Sequence, residues 1–257
     1  MLNILNPTTT GALAVGSGLG YHQVSGGTIN ITLPSGNSNV ALCSTSPLFH
    51  LNIFKSGTGT GGLSLEDIAG IGAQPLTVYG DLSLNDNVRL ITNDLDLGLA
   101  GDFTLESGAR YDHGSNTTEF LAYGTSSSII NNNSGNTPLT FSHVSIQQSD
   151  AVANFNDAKT VIFPTAGSPA VNIMGSLSFN TKYQTLDLNN TLLRIKCNLN
   201  VNRISRIIND GGILLNPGTA VEQSLNLGEL SSFNSFELDN TSGARLNDDA
   251  FMESLTL

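Results

Sequence analysis

The strongest candidates for chemistry are two aspartates that each follow a glycine in a short repeat. Asp81 and Asp102 superimpose at a shift of 21 residues. If both side chains point outward from stacked coils, the carboxylates lie close enough to bind Ca²⁺ or to act as acid and base on a sugar chain. Their counterparts Ser176 and Asn198 carry no charge. We therefore interpret the aspartates as solvated residues near turns and assign no catalytic or metal-binding residue, while calcium binding by this pair stays an alternative.

Other clusters of side-chain oxygens also suggest metal ligands. They are Asn85, Asp86 and Asn87, then Asn93, Asp94 and Asp96, and finally Asn247, Asp248 and Asp249. These clusters lack the spacing of an EF-hand loop and the glycine-rich nonapeptide of calcium-binding β-rolls. Asn and Asp are common in turns because they tolerate left-handed backbone angles and bond to their own backbone. We therefore predict turns at these positions, and the 29 Asn of the chain need no catalytic explanation.

The histidines do not form a metal site in the sequence. His50 and His143 occupy equivalent positions of a long repeat. Stacking about four coils between them would separate them by nearly 20 Å, so they cannot share an ion within one chain. His22 and His113 have no Cys or His neighbour at ligand spacing. We therefore predict no metal and no cofactor.

Covalent catalysis and phosphate binding are also unsupported. The chain has no G-x-S-x-G elbow, and residues 57–62 (GTGTGG) lack the Lys of a phosphate loop, so we predict a flexible loop or wide turn there. Cys197 follows the alternation of its segment and is expected to lie inward between Ile195 and Leu199, as a small buried hydrophobe. Cys43 and Cys197 do not fix the compartment, and their redox state is left open. We predict that the chain is not an enzyme.

The elements that must position these residues are short β-strands. Helical periodicity is almost absent, whereas residues 76–84 (LTVYGDLSL), 97–105 (LGLAGDFTL) and 171–179 (VNIMGSLSF) alternate with a period of two. The first two segments repeat after 21 residues, and residues 175–179 (GSLSF) match residues 197–201 (CNLNV) after 22. This spacing predicts an all-β fold, an elongated right-handed parallel β-helix (β-solenoid) of roughly ten to twelve coils without hairpins.

The alternation also predicts which side chains are buried. In residues 76–84 the inward set is Leu76, Val78, Gly80, Leu82 and Leu84, and the outward set is Thr77, Tyr79, Asp81 and Ser83. By the same rule we expect a core that contains Leu82, Leu84, Phe103, Leu105, Leu177 and Phe179.

A longer period lies above the coil period. Residues 49–53 (FHLNI) align with residues 142–146 (SHVSI) and with residues 234–238 (NSFEL), at shifts of 93 and 92. We therefore interpret residues 1–257 as a single solenoid segment, with an irregular start over 1–27 and super-repeats near 48–140, 141–232 and 233–257, the last one partial. Because residues 254–257 (SLTL) fit residues 81–84 (DLSL), we expect further repeats to continue the array.

This repeat pattern resembles a known family. Residues 49–53 followed by 76–84, 101–105 (GDFTL) and 116–120 (NTTEF) are similar to the repeats of very large secreted surface proteins of gliding bacteria, with departures at residues 161–164 (VIFP) and 204–208 (ISRII) that we expect to be bulges, loops or altered coils. The resemblance implies an extracellular, adhesin-like cell-surface protein, linked to gliding or attachment and exported by a dedicated secretion system. Its implied partners are other surface or secretion-system proteins, or surface glycans.

Charge narrows the functional classes further. The chain has 10 Lys and Arg against 21 Asp and Glu, a net charge of −11 that argues against nucleic acid, and no apolar run long enough for membrane insertion. A structural or adhesive surface segment and a carbohydrate-active β-helix, either a polysaccharide lyase or a glycoside hydrolase, remain. The enzyme needs cations beside carboxylates on one face. The cations to examine are Arg89, Arg110, Lys182, Arg194 and Lys196, and the carboxylates are Asp81, Asp96 and Asp102.

Overall fold

The structure is a computed structural model and describes residues 1–8, 11–15, 24–68, 70–133, 138–147, 152–164, 170–216, 222–228, 230–232, 235–239 and 242–246. These residues form β-strands, turns and irregular segments, with no helix. Contacts within the chain define two compact units. Unit 1 is Met1–Asn116 with Asn131–Ser134, and unit 2 is Thr117–Ile130 with Gly135–Leu257.

Unit 1 is built from short strands that stack in parallel. They are β1 (Leu2–Leu5), β2 (Leu13–Val15), β3 (Thr28–Leu33), β4 (Val40–Ser44), β5 (His50–Lys55), β6 (Leu63–Leu65), β7 (Leu76–Val78), β8 (Leu82–Leu84), β9 (Arg89–Ile91), β10 (Leu97–Leu99), β11 (Phe103–Leu105) and β12 (Arg110–Asp112). Strands from successive coils pair in the orders β1-β3-β5-β8-β11, β2-β4-β6-β9-β12 and β7-β10. Each coil therefore turns from one sheet to the next, which is the geometry of a β-solenoid.

Unit 2 repeats this arrangement. Its strands are β13 (Thr117–Phe120), β14 (Ser126–Asn131), β15 (Leu139–Phe141), β16 (His143–Ile146), β17 (Thr160–Ile162), β18 (Val171–Ile173), β19 (Leu177–Phe179), β20 (Thr185–Asp187), β21 (Leu192–Ile195), β22 (Leu199–Asn200), β23 (Arg206–Ile208), β24 (Gly212–Leu215), β25 (Gln223–Asn226), β26 (Ser235–Leu238) and β27 (Ala244–Leu246). They stack in the orders β14-β17-β20-β23, β13-β16-β19-β22-β25-β27 and β15-β18-β21-β24-β26. The predicted all-β fold and its parallel solenoid are confirmed, whereas the right-handed winding and the super-repeat boundaries stay predictions.

The coil period holds for some coils and not for others. Asp81 stacks on Asp102 after 21 residues and Ser176 on Asn198 after 22. The coil that ends at Asp81 takes 31 residues, because its connections carry extra turns. The described residues therefore form about nine turns rather than the predicted ten to twelve.

The three alternating segments differ from prediction at their centres. Each was expected to be one strand, but residues 76–84 form two strands, β7 and β8, which belong to different sheets. Residues 79–81 bend the chain between them, and the segments at 97–105 and 171–179 are split in the same way. In residues 76–84 and 171–179 burial still alternates through the bend, so the sequence pattern of two strands around a corner looks like that of one straight strand.

The predicted core is confirmed. All six predicted core residues are at most 3% exposed, and the predicted outward residues of segment 76–84 are half-buried. The expected irregularities at residues 161–164 and 204–208 are wrong for the strand parts of these segments. Strands β17 and β23 both pair in parallel with β20, because Val161 and Ile207 continue the buried column.

Candidate functional site

The two candidate aspartates lie at a stacked corner of unit 1. Gly80 and Asp81 connect β7 to β8, and the next coil places Gly101 at the same bend, where its N–H donates to the Gly80 carbonyl at 3.1 Å. The Gly80 N–H donates in turn to the carbonyl of Phe49 at 2.8 Å. The repeat predicted from glycine followed by aspartate is therefore a repeat of corners.

Side chains at this corner accept hydrogen bonds from the backbone of the following coil. The Asp81 N–H donates to Nδ1 of His50 at 3.0 Å, and the Asp102 N–H donates to Oδ1 of Asp81 at 2.9 Å. The other oxygen of Asp81 lies 3.2 Å from His50 Nδ1. We call His50, Asp81 and Asp102 the first corner ladder. One oxygen of Asp81 is thus occupied in capping a backbone N–H.

Unit 2 contains an equivalent series made without a carboxylate. The Ser176 N–H donates to Nδ1 of His143 at 3.1 Å, and the Asn198 N–H donates to the hydroxyl of Ser176 at 3.3 Å. The Ser224 N–H then donates to Oδ1 of Asn198 at 2.9 Å. We call these four residues the second corner ladder. A hydroxyl and an amide do here what Asp81 does in unit 1, so the position requires an acceptor and not a negative charge.

The two histidines also explain the glycines that precede Asp81 and Ser176. A Cβ on Gly80 would lie 2.6 Å from Nδ1 of His50, and a Cβ on Gly175 would lie 2.3 Å from Cε1 of His143. In each unit the imidazole therefore covers a corner that has no side chain. The sequence aligned His50 with His143 but did not reveal this contact with glycine.

Cys197 occupies the predicted corner but not the predicted environment. Its N–H donates to the Gly175 carbonyl at 3.1 Å, which confirms the alignment, yet the residue is exposed. The prediction of burial between Ile195 and Leu199 is wrong: residue 197 lies in the bend between β21 and β22 and is exposed, whereas Gly175 at the equivalent bend of the preceding coil is buried. Cys43 is buried and its thiol donates to the Gly72 carbonyl at 3.1 Å; both cysteines are free.

The acidic cluster at residues 93–96 behaves as a turn. Asn93 and Asp94 have φ of +52° and +66°, left-handed values that fit the turn interpretation. Oδ1 of Asp94 accepts hydrogen bonds from the N–H and the hydroxyl of Ser115 at 2.7 and 3.0 Å. These bonds, the backbone one first, lower the pKa of Asp94 because they stabilise its charged form. Among the described residues no three His, Cys, Asp or Glu side chains could hold one metal ion, and His22 and residues 247–249 lie outside those residues.

Among the candidate cations, Arg89 is paired with an acid other than the three candidate carboxylates. Arg89 on β9 forms its ion pair with Asp112 on β12, in a sheet that contains neither β8 nor β11. Arg110 is exposed and lies in register with Arg89. Lys182, Arg194 and Lys196 belong to unit 2, whereas the three candidate carboxylates belong to unit 1.

Residues 57–62 form a packed wide turn rather than a flexible loop. The Thr60 N–H donates to Oδ1 of Asn37 at 2.9 Å, and a Cβ on Gly59, whose φ is +124°, would lie 2.1 Å from the Gly36 carbonyl oxygen. The Lys55 ammonium donates to the Gly61 carbonyl, and burial lowers the pKa of Lys55. The glycines therefore serve close packing against the preceding coil, and the predicted absence of a phosphate loop stays a prediction.

Three sets of side-chain contacts were not predicted from the sequence. An amide ladder joins Asn52 to Asn30 at 2.9 Å and Asn30 to Asn3 at 2.8 Å; the spacing of Asn30 and Asn52, equal to one coil, was a usable signal. Lys159 is fully buried and its ammonium donates to the Ser126 carbonyl at 3.4 Å. The third feature is an aromatic and cationic corner in unit 2, described below.

The first corner ladder gives a prediction about pairwise coupling. Gly80→Ala is expected to lower the free energy of unfolding by about 2 kcal/mol, because the new Cβ meets the His50 ring. His50→Ala alone should cost about 1 kcal/mol through loss of the acceptor for the Asp81 N–H. In the double variant the ring is absent, so urea denaturation should give a total about 1 kcal/mol smaller than the sum.

The matched control for this cycle is Gly26→Ala, because a Cβ on Gly26 meets nothing within 4 Å. Its effect should add to that of His50→Ala. Strict additivity of Gly80→Ala and His50→Ala would show that the imidazole does not constrain this corner.

No protein-family model matches the chain, and comparisons with curated proteins and with solved structures likewise found no match. Within the described part of the chain, no helix is long and apolar enough to cross a bilayer.

Proposed function

We propose that the chain is a non-enzymatic structural and adhesive segment of a large bacterial cell-surface protein. The observation that carries this proposal is the equivalence of the two corner ladders. The candidate acid Asp81 caps a backbone N–H, and Ser176 makes the same bond in unit 2 without a charge. A position that tolerates loss of its acid group suits a stacking role better than acid and base catalysis.

The resemblance to surface proteins of gliding bacteria supplies the cellular setting of the proposal. It suggests an extracellular protein that acts in gliding or attachment, with surface proteins, secretion-system proteins or surface glycans as partners. A solenoid suits this role because stacked coils extend a binding surface along one axis.

The competing function, a carbohydrate-active β-helix, has weaker support. Such a site needs carboxylates and cations on one exposed strand face, and Arg89 instead pairs with Asp112 away from Asp81 and Asp102. The two functions differ in a direct measurement, which is turnover of a polysaccharide.

The test uses the whole chain with polyuronides and β-glucans as substrates. We expect no release of reducing ends and no formation of unsaturated sugars, because Asp81 caps a backbone N–H and Arg89 pairs with Asp112. Turnover that Asp81→Asn or Asp102→Asn abolishes, and that the control Asp86→Asn leaves unchanged, would establish the enzyme instead. Surface labelling of intact cells that produce the protein tests its location, and a signal only after lysis would contradict the proposal.

A further inference from the structure

One corner of unit 2 holds an aromatic residue in a backbone conformation that aromatic residues rarely adopt. Tyr183 has φ of +66°. Every other described non-glycine residue with positive φ is an Asn or an Asp. Left-handed angles are unfavourable for bulky side chains, and such outliers cluster at binding sites. Asn would adopt this backbone conformation at a lower free-energy cost. The presence of a tyrosine therefore suggests that its ring has a role of its own.

The ring of Tyr183 belongs to a cluster that also fixes an arginine. Tyr183 packs edge to face on Phe155, with ring centroids 5.4 Å apart. The guanidinium carbon of Arg206 lies 4.1 Å from the centroid of the same Phe155 ring, and its Nε donates to the Thr185 hydroxyl at 3.1 Å. The guanidinium is therefore held by a cation–π contact and one hydrogen bond, while its terminal nitrogens bond to no described residue.

Exposed charges of both signs lie near this corner, including the acid Asp157 two residues after Phe155. Lys182 and Arg203 are both exposed, and they lie in neighbouring coils because the Tyr183 N–H donates to the Ile204 carbonyl at 3.0 Å. The nearby acid Asp187 is engaged, since it accepts bonds from the Asn189 N–H at 2.9 Å and from the Asn209 amide at 2.8 Å. These neutral donors leave Asp187 charged, so the attraction for an anion at this corner comes from the fixed guanidinium of Arg206 together with the exposed ammonium of Lys182.

We propose that Phe155, Lys182, Tyr183 and Arg206, here called the aromatic corner, bind an acidic polysaccharide of the uronate type. The apolar face of a sugar ring packs on Tyr183, and its carboxylate accepts hydrogen bonds from the terminal nitrogens of Arg206. Lys182 adds charge beside this contact. Because Phe155 already fixes the guanidinium plane, little side-chain freedom is lost on binding. The inference rests on the proposed function, since it names the ligand class of an adhesive segment.

The test measures binding of alginate oligosaccharides to the whole chain by calorimetry, with dextran as the neutral comparison. Arg206→Gln and Tyr183→Asn are each expected to raise the Kd for alginate about tenfold or more, since each removes one of the two main contacts. Tyr183→Asn also controls for folding, because Asn accepts the left-handed angle. Its melting temperature should equal or exceed that of the parent chain while its Kd for alginate rises.

The charge-matched control is Arg194→Gln, an exposed cation on β21. It should change the Kd for alginate less than about twofold, as expected for an exposed charge on a sheet that contains neither β20 nor β23. Absence of alginate binding by the parent chain, equal losses in Arg194→Gln and Arg206→Gln, or equally tight binding of dextran or polyphosphate would each overturn the inference. Cleavage of bound alginate would instead overturn the proposed function and leave the binding site in place, so the two failures are distinguishable.

Discussion

Replacing Leu82 by aspartate is expected to lower the free energy of unfolding by about 4 kcal/mol or more, the largest effect of any substitution considered. Leu82 is 0% exposed and pairs in register with Leu51 on one side and Phe103 on the other. A carboxylate at this position loses its hydration and is surrounded by apolar side chains of the neighbouring coils. The folded chain must therefore either contain a buried charge without a partner or bury the carboxyl group in its protonated form. Because the same column of side chains continues through the unit, the substitution is expected to destabilise the neighbouring coils as well.

Ser83→Asp is the matched control, because Ser83 is the next residue of the same strand and is half-buried on the opposite side. Its effect should stay within about 1 kcal/mol, as for a partly exposed surface substitution. Guanidinium denaturation monitored by circular dichroism measures both variants. Equal stability of Leu82→Asp and the parent chain would mean that the inward and outward faces of β8 are reversed.

Gly101→Ala is the second substitution with a large expected effect, about 3 kcal/mol of lost stability from overpacking. A Cβ on Gly101 would lie 2.5 Å from both the carbonyl carbon and the carbonyl oxygen of Gly80, and 2.6 Å from Oδ1 of Asp81. The Gly80 backbone cannot move aside easily, because its carbonyl accepts the Gly101 N–H and its own N–H is bonded to Phe49. The corner must therefore open, and the stacking of β7 on β10 is weakened with it.

Gly26→Ala again provides the comparison, since its new methyl group has open space. Thermal unfolding should place this variant within about 0.5 kcal/mol of the parent chain, the usual range for surface changes. If Gly101→Ala unfolds at the same temperature as Gly26→Ala, the corners are looser than their backbone hydrogen bonds imply.

The buried set and the coil spacing could be predicted because both follow from periodicity. Leu82 and Phe103 fall on one face of an alternating pattern and stack one coil apart, so local sequence contains the information. The bend at Gly80 could not be placed, because alternation passes through the corner unchanged. The prediction for Cys197 failed at such a bend. Its segment was treated as one straight strand, so Cys197 was predicted to be buried, whereas it is exposed.

The pairings of charged and aromatic residues were beyond sequence reasoning for another reason. Arg89 on β9 pairs with Asp112 on the neighbouring strand β12, two residues beyond Arg110, which is in register with Arg89. This ion pair therefore depends on the register of the two strands and not on sequence spacing. The contact of Arg206 with Phe155 likewise depends on how residues outside the strands fold back onto β23. The left-handed angle of Tyr183 is invisible in composition, because no propensity rule expects a tyrosine there.

Hydrogen bonding along each corner ladder has a polarity that affects how the solenoid is built. In every step the acceptor side chain belongs to the earlier coil and the donor N–H to the later one. Truncation of one acceptor therefore harms the coil that follows it and spares the corner bond of the coil before it. During synthesis the amino-terminal coil exists first, so each new coil meets a finished template, and within a unit winding is favoured in the direction of translation.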